Sequence, residues 1–216
     1  MRLAVFDCDG TLVDSCAHIV RAMHEAFARL RLPAPPPEAV RRVVGLSLPQ
    51  AMEVLAPRGD ASLHRALAEA YRAAFRELRH SGALQPEPLY PGMRELLDAL
   101  RAAGWALAIA TGKSDRGLAL LLDRLGLAGH FVARHTADRH PSKPHPAMLQ
   151  ACLADTGVAA EAAVVVGDTA FDMAMAAAAG VRAIGVAWGY HAPAELEAAG
   201  AVAVARDAQH LEVLLG

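Results

Sequence analysis

Two aspartates lie two positions apart near the start of the chain, where Asp7 and Asp9 belong to the run FDCDGT at residues 6–11. The apolar residues directly before them, 3–6, predict a short buried strand. Two carboxylates at the end of a buried strand are costly unless a cation meets them. Gly10 permits a sharp turn of the backbone and the close approach of a ligand. The pattern therefore indicates a site for a metal ion and a phosphate.

Polar residues also follow three later apolar runs of the chain. These polar stretches are Thr111 to Ser114 after the run at 105–110, Ser142 to Pro144 beyond the run at 131–133, and Gly167 to Asp172 after the run at 163–166. Ligands in open α/β sheets bind outside the carboxyl ends of the strands, so we expect all four stretches to meet in space. Lys113 and Lys143 are the only lysines among 21 basic residues, which favours a specific need for an ammonium group at each position.

The elements that would position these stretches follow two different patterns. From about residue 16 to residue 82 the apolar residues recur at helical spacing, with no strand between them. Beyond a connector rich in Pro, helices alternate with strands predicted at 105–110, 131–133, 163–166, 182–186 and 202–204. Such alternation favours a parallel sheet with helices on both faces. We predict an α/β fold with a Rossmann-like parallel-sheet core, residues 1–15 and 83–216, and an inserted all-helical domain, residues 16–82.

Composition limits the class of protein. The 216-residue chain is 54% hydrophobic and carries a formal net charge of −2, so we expect a large core and no binding to nucleic acid or membrane. No apolar stretch reaches the roughly 18 residues of a membrane span, and Asp7 and Asp9 interrupt any signal peptide. Three cysteines suit a cytoplasmic protein without disulfides. Cys8 is expected to be a small buried residue rather than a nucleophile.

The four motifs, in their order, resemble those of the haloacid dehalogenase-like (HAD) superfamily, phosphatase branch. That family has Asp-x-Asp-Gly-Thr after a strand, then a Thr or Ser, then a Lys often followed by Pro, and finally Gly-Asp-x-x-x-Asp. The chain matches them at 7–11, 111, 143–144 and 167–172. The helical insert resembles the family's helical cap, as in phosphoglycolate phosphatases and β-phosphoglucomutases. The resemblance covers essentially the whole chain and implies the HAD fold.

The resemblance implies a role for each acidic residue of the motifs. Asp7 would be the nucleophile, giving an aspartyl-phosphate, and Asp9 would be the general acid and then the general base. The metal ligands would be Asp7, the backbone carbonyl of Asp9 and Asp168, with Asp172 binding directly or through water. This oxygen-rich set suits Mg²⁺, which would reduce the repulsion between a carboxylate and a phosphate ester. Two structural alternatives stay open, because Asp168 also suits a helix cap and Asp172 a solvated first turn.

Other residues of the motifs would contact the phosphate. Thr111 would donate a hydrogen bond to a phosphoryl oxygen, and Lys143 would neutralise charge near the nucleophile, where a compact ammonium fits a crowded site. The remaining predicted substrate-binding residues of the core are Gly10, Thr11 and Gly112, of which the glycines would contribute backbone N–H groups. The alternatives are a plain strand-end threonine and a surface lysine.

The insert is expected to contact the part of the substrate beyond the phosphate. Arg42 and Gly45, with the neighbouring Arg41, are candidates for a second anion or hydroxyl contact, and a solvated basic helix end explains the arginines equally well. Ser15 and His18 lie near the predicted hinge and are candidates to face the leaving group.

Two further features have open interpretations. Lys113 would either support the site or lie on the surface. The regular spacing of His135, His140 and His145 invites a zinc site, but five-residue steps broken by prolines favour ordinary loop histidines.

The function predicted is a Mg²⁺-dependent phosphomonoester phosphatase acting on a small phosphorylated metabolite, with phosphoglycolate as one candidate. The expected partner is therefore a small phosphate ester, and the oligomeric state is left open. One alternative is a sugar phosphomutase of the β-phosphoglucomutase type, and another is a non-catalytic binding or regulatory protein on the same fold. A phosphonatase is disfavoured because the insert lacks lysine, and a dehalogenase because Asp9 is present.

Overall fold

A single six-stranded sheet lies at the centre of the protein, in a computed structural model that describes residues 1–216. The strands are β1 (Arg2–Phe6), β2 (Trp105–Thr111), β3 (Ala133–Thr136), β4 (Ala163–Gly167), β5 (Arg182–Val186) and β6 (Ala203–Ala205). All neighbouring strands are parallel, and their order is β3-β2-β1-β4-β5-β6. The predicted α/β fold with a parallel sheet is confirmed.

Ten α-helices surround or extend from the sheet. They are α1 (Cys16–Arg29), α2 (Pro37–Arg42), α3 (Leu48–Leu55), α4 (Ala61–His80), α5 (Met93–Ala102), α6 (Asp115–Arg124), α7 (Ala147–Thr156), α8 (Ala170–Ala178), α9 (Pro193–Ala198) and α10 (Ala208–Leu215). A short 3₁₀ helix, Ala160–Ala162, precedes β4. None of the helices combines the length and the apolar character needed to cross a membrane.

The sheet is covered on both faces, as its sequence indicates. Every residue of β2 and β4 is buried, which explains why these strands read as continuous apolar runs rather than alternating ones. Val5 and Phe6 are neighbours in β1 and point to opposite faces. They belong to two separate hydrophobic clusters, of 18 and 25 buried residues. The two clusters cover the two faces of the sheet.

Two strand predictions are wrong in their bounds. The third strand was expected at 131–133 but runs over Ala133–Thr136, because its position is fixed by pairing with β2, where Thr136 lies opposite Thr111. This edge strand contains polar residues and therefore lacks an apolar pattern. The apolar residue that suggested a strand, Phe131, is buried in the loop before it. The last strand, expected at 202–204, lies one residue later.

The first four helices, α1 to α4, pack on one another around a core of their own. Its six buried residues are Met23, Phe27, Val40, Met52, Leu67 and Ala68. Helix α4, the longest of the four, begins at Asp60, whose side chain accepts a hydrogen bond from the Leu63 backbone N–H at 2.8 Å. The all-helical content agrees with the expected insert, and the division into a core (1–15 and 83–216) and an insert (16–82) stays a prediction.

The strand order brings the motifs together. From β1 the chain moves to β2 and β3 on one side, and it then returns to β4 on the other side of β1. Phe6, the last residue of β1, therefore lies between Ile109 of β2 and Val166 of β4. Such a reversal of direction opens a crevice at the carboxyl ends of the strands. The polar stretches after β1, β2 and β4 all lie at this crevice.

Candidate active site

Asp7 lies directly after β1, and its backbone N–H donates to the carbonyl of Val166 at 2.9 Å. Its side chain is buried, and Oδ1 accepts a hydrogen bond from Lys143 Nζ at 2.7 Å. Oδ2 is buried without any hydrogen-bond partner. Burial raises the pKa of Asp7 to about 6, while the charge of Lys143 acts in the opposite direction. Asp7 thus presents one fixed oxygen and one free oxygen.

Asp168, directly after β4, lies beside Asp7. Its Oδ1 accepts from the Thr11 hydroxyl at 2.7 Å, and its Oδ2 accepts from the Tyr190 backbone N–H at 2.9 Å. Burial, and then the negative charges of Asp7 and Asp172, raise the pKa of Asp168 well above its ordinary value. Both oxygens are oriented by the fold, as expected of a ligand held by a second layer of hydrogen bonds.

Asp172 lies in the first turn of α8 and is fully buried. Its Oδ2 accepts from the backbone N–H and the hydroxyl of Thr169, at 3.1 and 2.7 Å, and its Oδ1 accepts from Lys143 Nζ at 2.6 Å. Thr169, and not Asp168, is therefore the N-cap of α8, in a capping box with Asp172. The alternative of a solvated first-turn acid for Asp172 is wrong.

Three buried carboxylates form one candidate metal site. Asp7, Asp168 and Asp172 each offer an oxygen within 4.8 Å of the others. Lys143 is the only cation in contact with them, and it is fully buried between Asp7 and Asp172. Its single charge leaves an excess of negative charge, and the unpartnered Asp7 Oδ2 supplies a free ligand atom. The residues fit a hard divalent cation with oxygen ligands.

The ammonium of Lys143 reaches the site from the loop after β3. Burial disfavours its charge, but Asp172 and Asp7 outweigh that effect and hold the pKa of Lys143 above its ordinary value. The alternative of a surface lysine is therefore wrong.

Asp9 faces a second cation. Its Oδ1 accepts from the Ser15 hydroxyl and forms an ion pair with Lys113 Nζ at 2.8 Å. Only 9% of the Lys113 side chain is exposed, so the surface alternative for this lysine is wrong. Lys113 Nζ also lies 3.6 Å from Oε1 of Glu87, which is buried in the connector before α5. Burial opposes the charge, but Asp9 and Glu87 hold the pKa of Lys113 above its ordinary value.

Sequence reasoning missed Glu87. Its carboxylate is surrounded by Lys113, by Arg124 Nη2 at 3.5 Å and by His18 Nδ1 at 3.7 Å. It therefore links the insert, through His18 of α1, to two basic residues of the core. The only local signal is a glutamate between Pro86 and Pro88, which by itself indicates a turn rather than a buried acid.

Strand β2 ends at Thr111, and Gly112 follows it at the same crevice. Thr111 is buried, and its hydroxyl accepts from the Lys113 backbone N–H at 3.2 Å. A Cβ at Gly112 would lie 2.9 Å from the carbonyl oxygen of Leu46 in the insert. Only a glycine lets the two backbones approach so closely. Gly45 also borders this contact, with a φ of +96° and its α-carbon facing Thr169.

The insert contacts the core at this point, but not through Arg42. The Ser47 backbone N–H donates to the Ser142 hydroxyl at 2.6 Å. Arg42 instead forms an exposed ion pair with Glu195 of α9, at 2.6 Å, and does not line the cavity described below. The predicted contact between Arg42 and a substrate therefore finds no support in this geometry, because its charge is already paired elsewhere.

The histidines do not build a metal site. His135 Nδ1 lies 2.9 Å from His140 Nε2, and His135 Nε2 lies 3.0 Å from Asp155 Oδ2. His145 is separate and accepts from the Ala147 backbone N–H. Cys8 is fully buried, and burial raises the pKa of its thiol well above the ordinary value, which disfavours a thiolate nucleophile.

A cavity of about 670 Å³ lies between the core and the insert. Asp7, Asp9 and Thr111 line it from the core, together with Gly112 and Lys113. The other walls come mainly from the insert. The cavity extends from Asp7 and Asp9 to the helices of the insert. Small-molecule sites are typically concave in this way, with a few polar groups at one end and apolar walls around them.

Comparison with known proteins identifies the family. The sequence pattern of the haloacid dehalogenase-like hydrolases matches residues 4–186. The chain belongs to the haloacid dehalogenase-like hydrolase family. It is 38% identical to "Probable phosphatase IndB" of Dickeya dadantii, over 91% of this chain and 86% of that protein. It is 35% identical to a phosphoglycolate phosphatase of Rhodospirillum rubrum, over 100% of this chain and 91% of that protein.

A solved structure shows the same fold. A hydrolase from Pseudomonas syringae superposes with a TM-score of 0.87 at 27% identity, over 100% of this chain and 98% of that one. The predicted family and the predicted enzyme class, a hydrolase of the phosphatase branch, are confirmed.

Gly10 provides a test of the site's packing. It has a φ of +89°, and a Cβ there would lie 2.2 Å from Asp168 Oδ2. We expect Gly10→Ala to lower the free energy of unfolding by about 1–3 kcal/mol, because it adds backbone strain and displaces Asp168. Urea denaturation measures this loss. Gly129→Ala is the control, since a Cβ at Gly129 meets nothing within 4 Å; equal stability of the two variants would contradict the account.

Proposed function

We propose that the protein is a Mg²⁺-dependent phosphomonoester hydrolase that works through an aspartyl-phosphate on Asp7. One observation carries the proposal: the buried Asp7 carboxylate has one oxygen fixed by Lys143 and the other free beside Asp168. The names of the relatives, a probable phosphatase and a phosphoglycolate phosphatase, support the same reaction. Phosphoglycolate is accordingly one candidate substrate.

The first half of the reaction forms a covalent bond to the enzyme. The Asp7 carboxylate attacks phosphorus, the bond from phosphorus to the ester oxygen breaks, and the leaving oxygen takes a proton from Asp9. Lys143 holds Asp7 in place and reduces the repulsion between the carboxylate and the phosphate. In the second half, water attacks phosphorus, Asp9 takes a proton from that water, and phosphate leaves as Asp7 is restored.

The metal would be held by Asp7, Asp168 and Asp172, with the backbone carbonyl of Asp9 as the fourth proposed ligand. When bound, Mg²⁺ supplies positive charge next to the phosphoryl oxygens, which favours attack by an anion. Thr11 and the backbone of Tyr190 orient Asp168 for this role.

The remaining phosphate contacts are proposed at the ends of β1 and β2. The Thr111 hydroxyl would donate to a phosphoryl oxygen, and the backbone N–H groups of Cys8, Asp9, Thr11 and Gly112 would bind the others. The predicted contact from the Gly10 N–H is wrong, because that group donates to the Val13 carbonyl at 2.9 Å. The insert would act as a cap that excludes water from the cavity. Its contacts with the core at Ser142 and Gly112 support this role.

The metal requirement gives a direct test. With excess Mg²⁺, we expect the protein to release phosphate from members of a panel of phosphate esters that includes phosphoglycolate. EDTA should abolish turnover, and added Mg²⁺ should restore it. Turnover that persists in EDTA would contradict the metal proposal. Conversion of β-glucose 1-phosphate to glucose 6-phosphate without phosphate release would instead assign the protein as a phosphomutase.

Lys113 tests the role of Asp9. We expect Lys113→Met to lower kcat by roughly tenfold or more, because the carboxylate of Asp9 loses the ion pair that orients it. If the lysine acts through Asp9, the double variant should have nearly the same kcat as Asp9→Asn alone. Stopped-flow kinetics of the two single variants and the double variant measure this coupling.

Arg116→Met is the matched control for Lys113. Arg116 also lines the cavity but is exposed and has no contact with Asp9. Its substitution should leave kcat within about twofold of the wild type, as expected for a solvated charge. Equal losses in the Lys113 and Arg116 variants, or fully additive effects of Lys113→Met and Asp9→Asn, would contradict the positioning role.

A further inference from the structure

The walls that the insert gives to the cavity are largely apolar. Ile19 and Met23 line it from α1, and Tyr71 and Phe75 line it from α4. The rings of Tyr71 and Phe75 lie with their centroids 5.8 Å apart, and the Arg79 guanidinium lies 5.1 Å from the Phe75 ring centroid. The aromatic pair thus forms a continuous surface on α4. A surface of this kind favours contact with a flat apolar group.

The aromatic surface shares its cavity with the reaction centre, because Tyr71 and Phe75 line the same cavity as Asp7 and Asp9. The part of a substrate attached to the leaving oxygen, next to Asp9, would therefore lie in the cavity that these two rings line.

The insert offers little to a small acidic substrate. Arg42 is paired with Glu195, and Lys113 is already shared between Asp9 and Glu87. Arg72, Arg76 and His80 line the cavity but are exposed to solvent, and the half-buried Arg79 already packs over the Phe75 ring. A carboxylate among the remaining apolar side chains of this wall would be costly. The volume of about 670 Å³ also falls in the range of pockets that hold drug-sized ligands, far larger than a two-carbon acid.

We propose that the preferred substrate is a phosphomonoester whose organic part carries an apolar ring, bound against Tyr71 and Phe75, rather than phosphoglycolate. This inference rests on the proposed phosphatase function and adds the substrate class. The phosphate lies at Asp7 and Thr111, and the ring lies against α4.

Benzyl phosphate and ethyl phosphate test the proposal, because both release a primary alcohol and differ mainly in the ring. We expect kcat/KM for benzyl phosphate to exceed that for ethyl phosphate by about tenfold or more, as burial of a ring in an apolar site implies. It should also exceed that for phosphoglycolate. Equal values for the benzyl and ethyl esters, or a preference for phosphoglycolate, would overturn the proposal.

Phe75→Leu locates the ring site. It keeps an apolar side chain but removes the aromatic face, so the ratio of kcat/KM between benzyl and ethyl phosphate should fall by about threefold or more. Leu78→Ala is the control, since Leu78 lies in the same helix and does not line the cavity; it should keep the wild-type ratio. An unchanged ratio in Phe75→Leu would place the ring elsewhere and overturn the assignment.

A binding measurement separates this inference from the proposed function. Calorimetric titration of the Asp7→Asn variant with the two esters, in Mg²⁺, reports affinity without turnover. If the wild type hydrolyses no ester but the variant binds benzyl phosphate more tightly than ethyl phosphate, the phosphatase proposal fails and the ring site stands. If the esters are hydrolysed and bound without preference, the phosphatase proposal stands and the ring site fails.

Discussion

The site depends on one electrostatic constraint: three buried carboxylates need positive charge to remain together. Asp7, Asp168 and Asp172 are fixed by the ends of β1 and β4 and by the first turn of α8. A buried anion without a partner is costly by several kcal/mol. The ammonium of Lys143 compensates for part of this charge. The negative charge that remains favours the binding of a further cation by the cluster. The other residues of the site surround this cluster.

Each of the two lysines of the chain forms an ion pair with one of the two aspartates of the first motif. Lys143 contacts Asp7, and Lys113 contacts Asp9. Asp7 therefore has a fixed oxygen and a free one, while Asp9 is linked through Lys113 to Glu87, and Glu87 to the insert. This division matches a difference in role between a nucleophile and a proton carrier. Asp9, the proposed proton carrier, also accepts a hydrogen bond from Ser15, which lies near the predicted hinge.

Much of the site could be predicted from the sequence because its residues immediately follow strongly apolar strands. Asp7 and Asp168 follow β1 and β4 directly, and Thr111 is the last residue of β2. Parallel strands that end at one edge bring such residues together. Lys143 was identifiable only as a rare lysine in a motif, because it comes from a loop beyond the polar strand β3. The predicted bounds of β3 were wrong for the same reason, because the position of this strand is determined by its pairing with β2 and not by an apolar pattern.

The parts that escaped prediction depend on long-range pairing. Glu87 is buried because residues from α1, α6 and the end of β2 converge on it, and no local pattern reports such convergence. Arg42 has the right charge for a substrate contact, but its position opposite Glu195 is set by how the insert meets α9. The sequence likewise does not show that the aromatic residues of α4 line a cavity, because that cavity forms only where the insert meets the core.

The central claim is that Asp7 carries the phosphoryl group, and trapping that group tests it most directly. The reaction would be quenched in acid during turnover of a phosphate ester, and the protein then reduced with borohydride, which converts an aspartyl-phosphate to homoserine. Peptide mass spectrometry should find homoserine at position 7, aspartate at position 9, and no conversion in the Asp7→Asn variant. Homoserine at another position, or undiminished phosphate release by a pure preparation of that variant, would contradict the account.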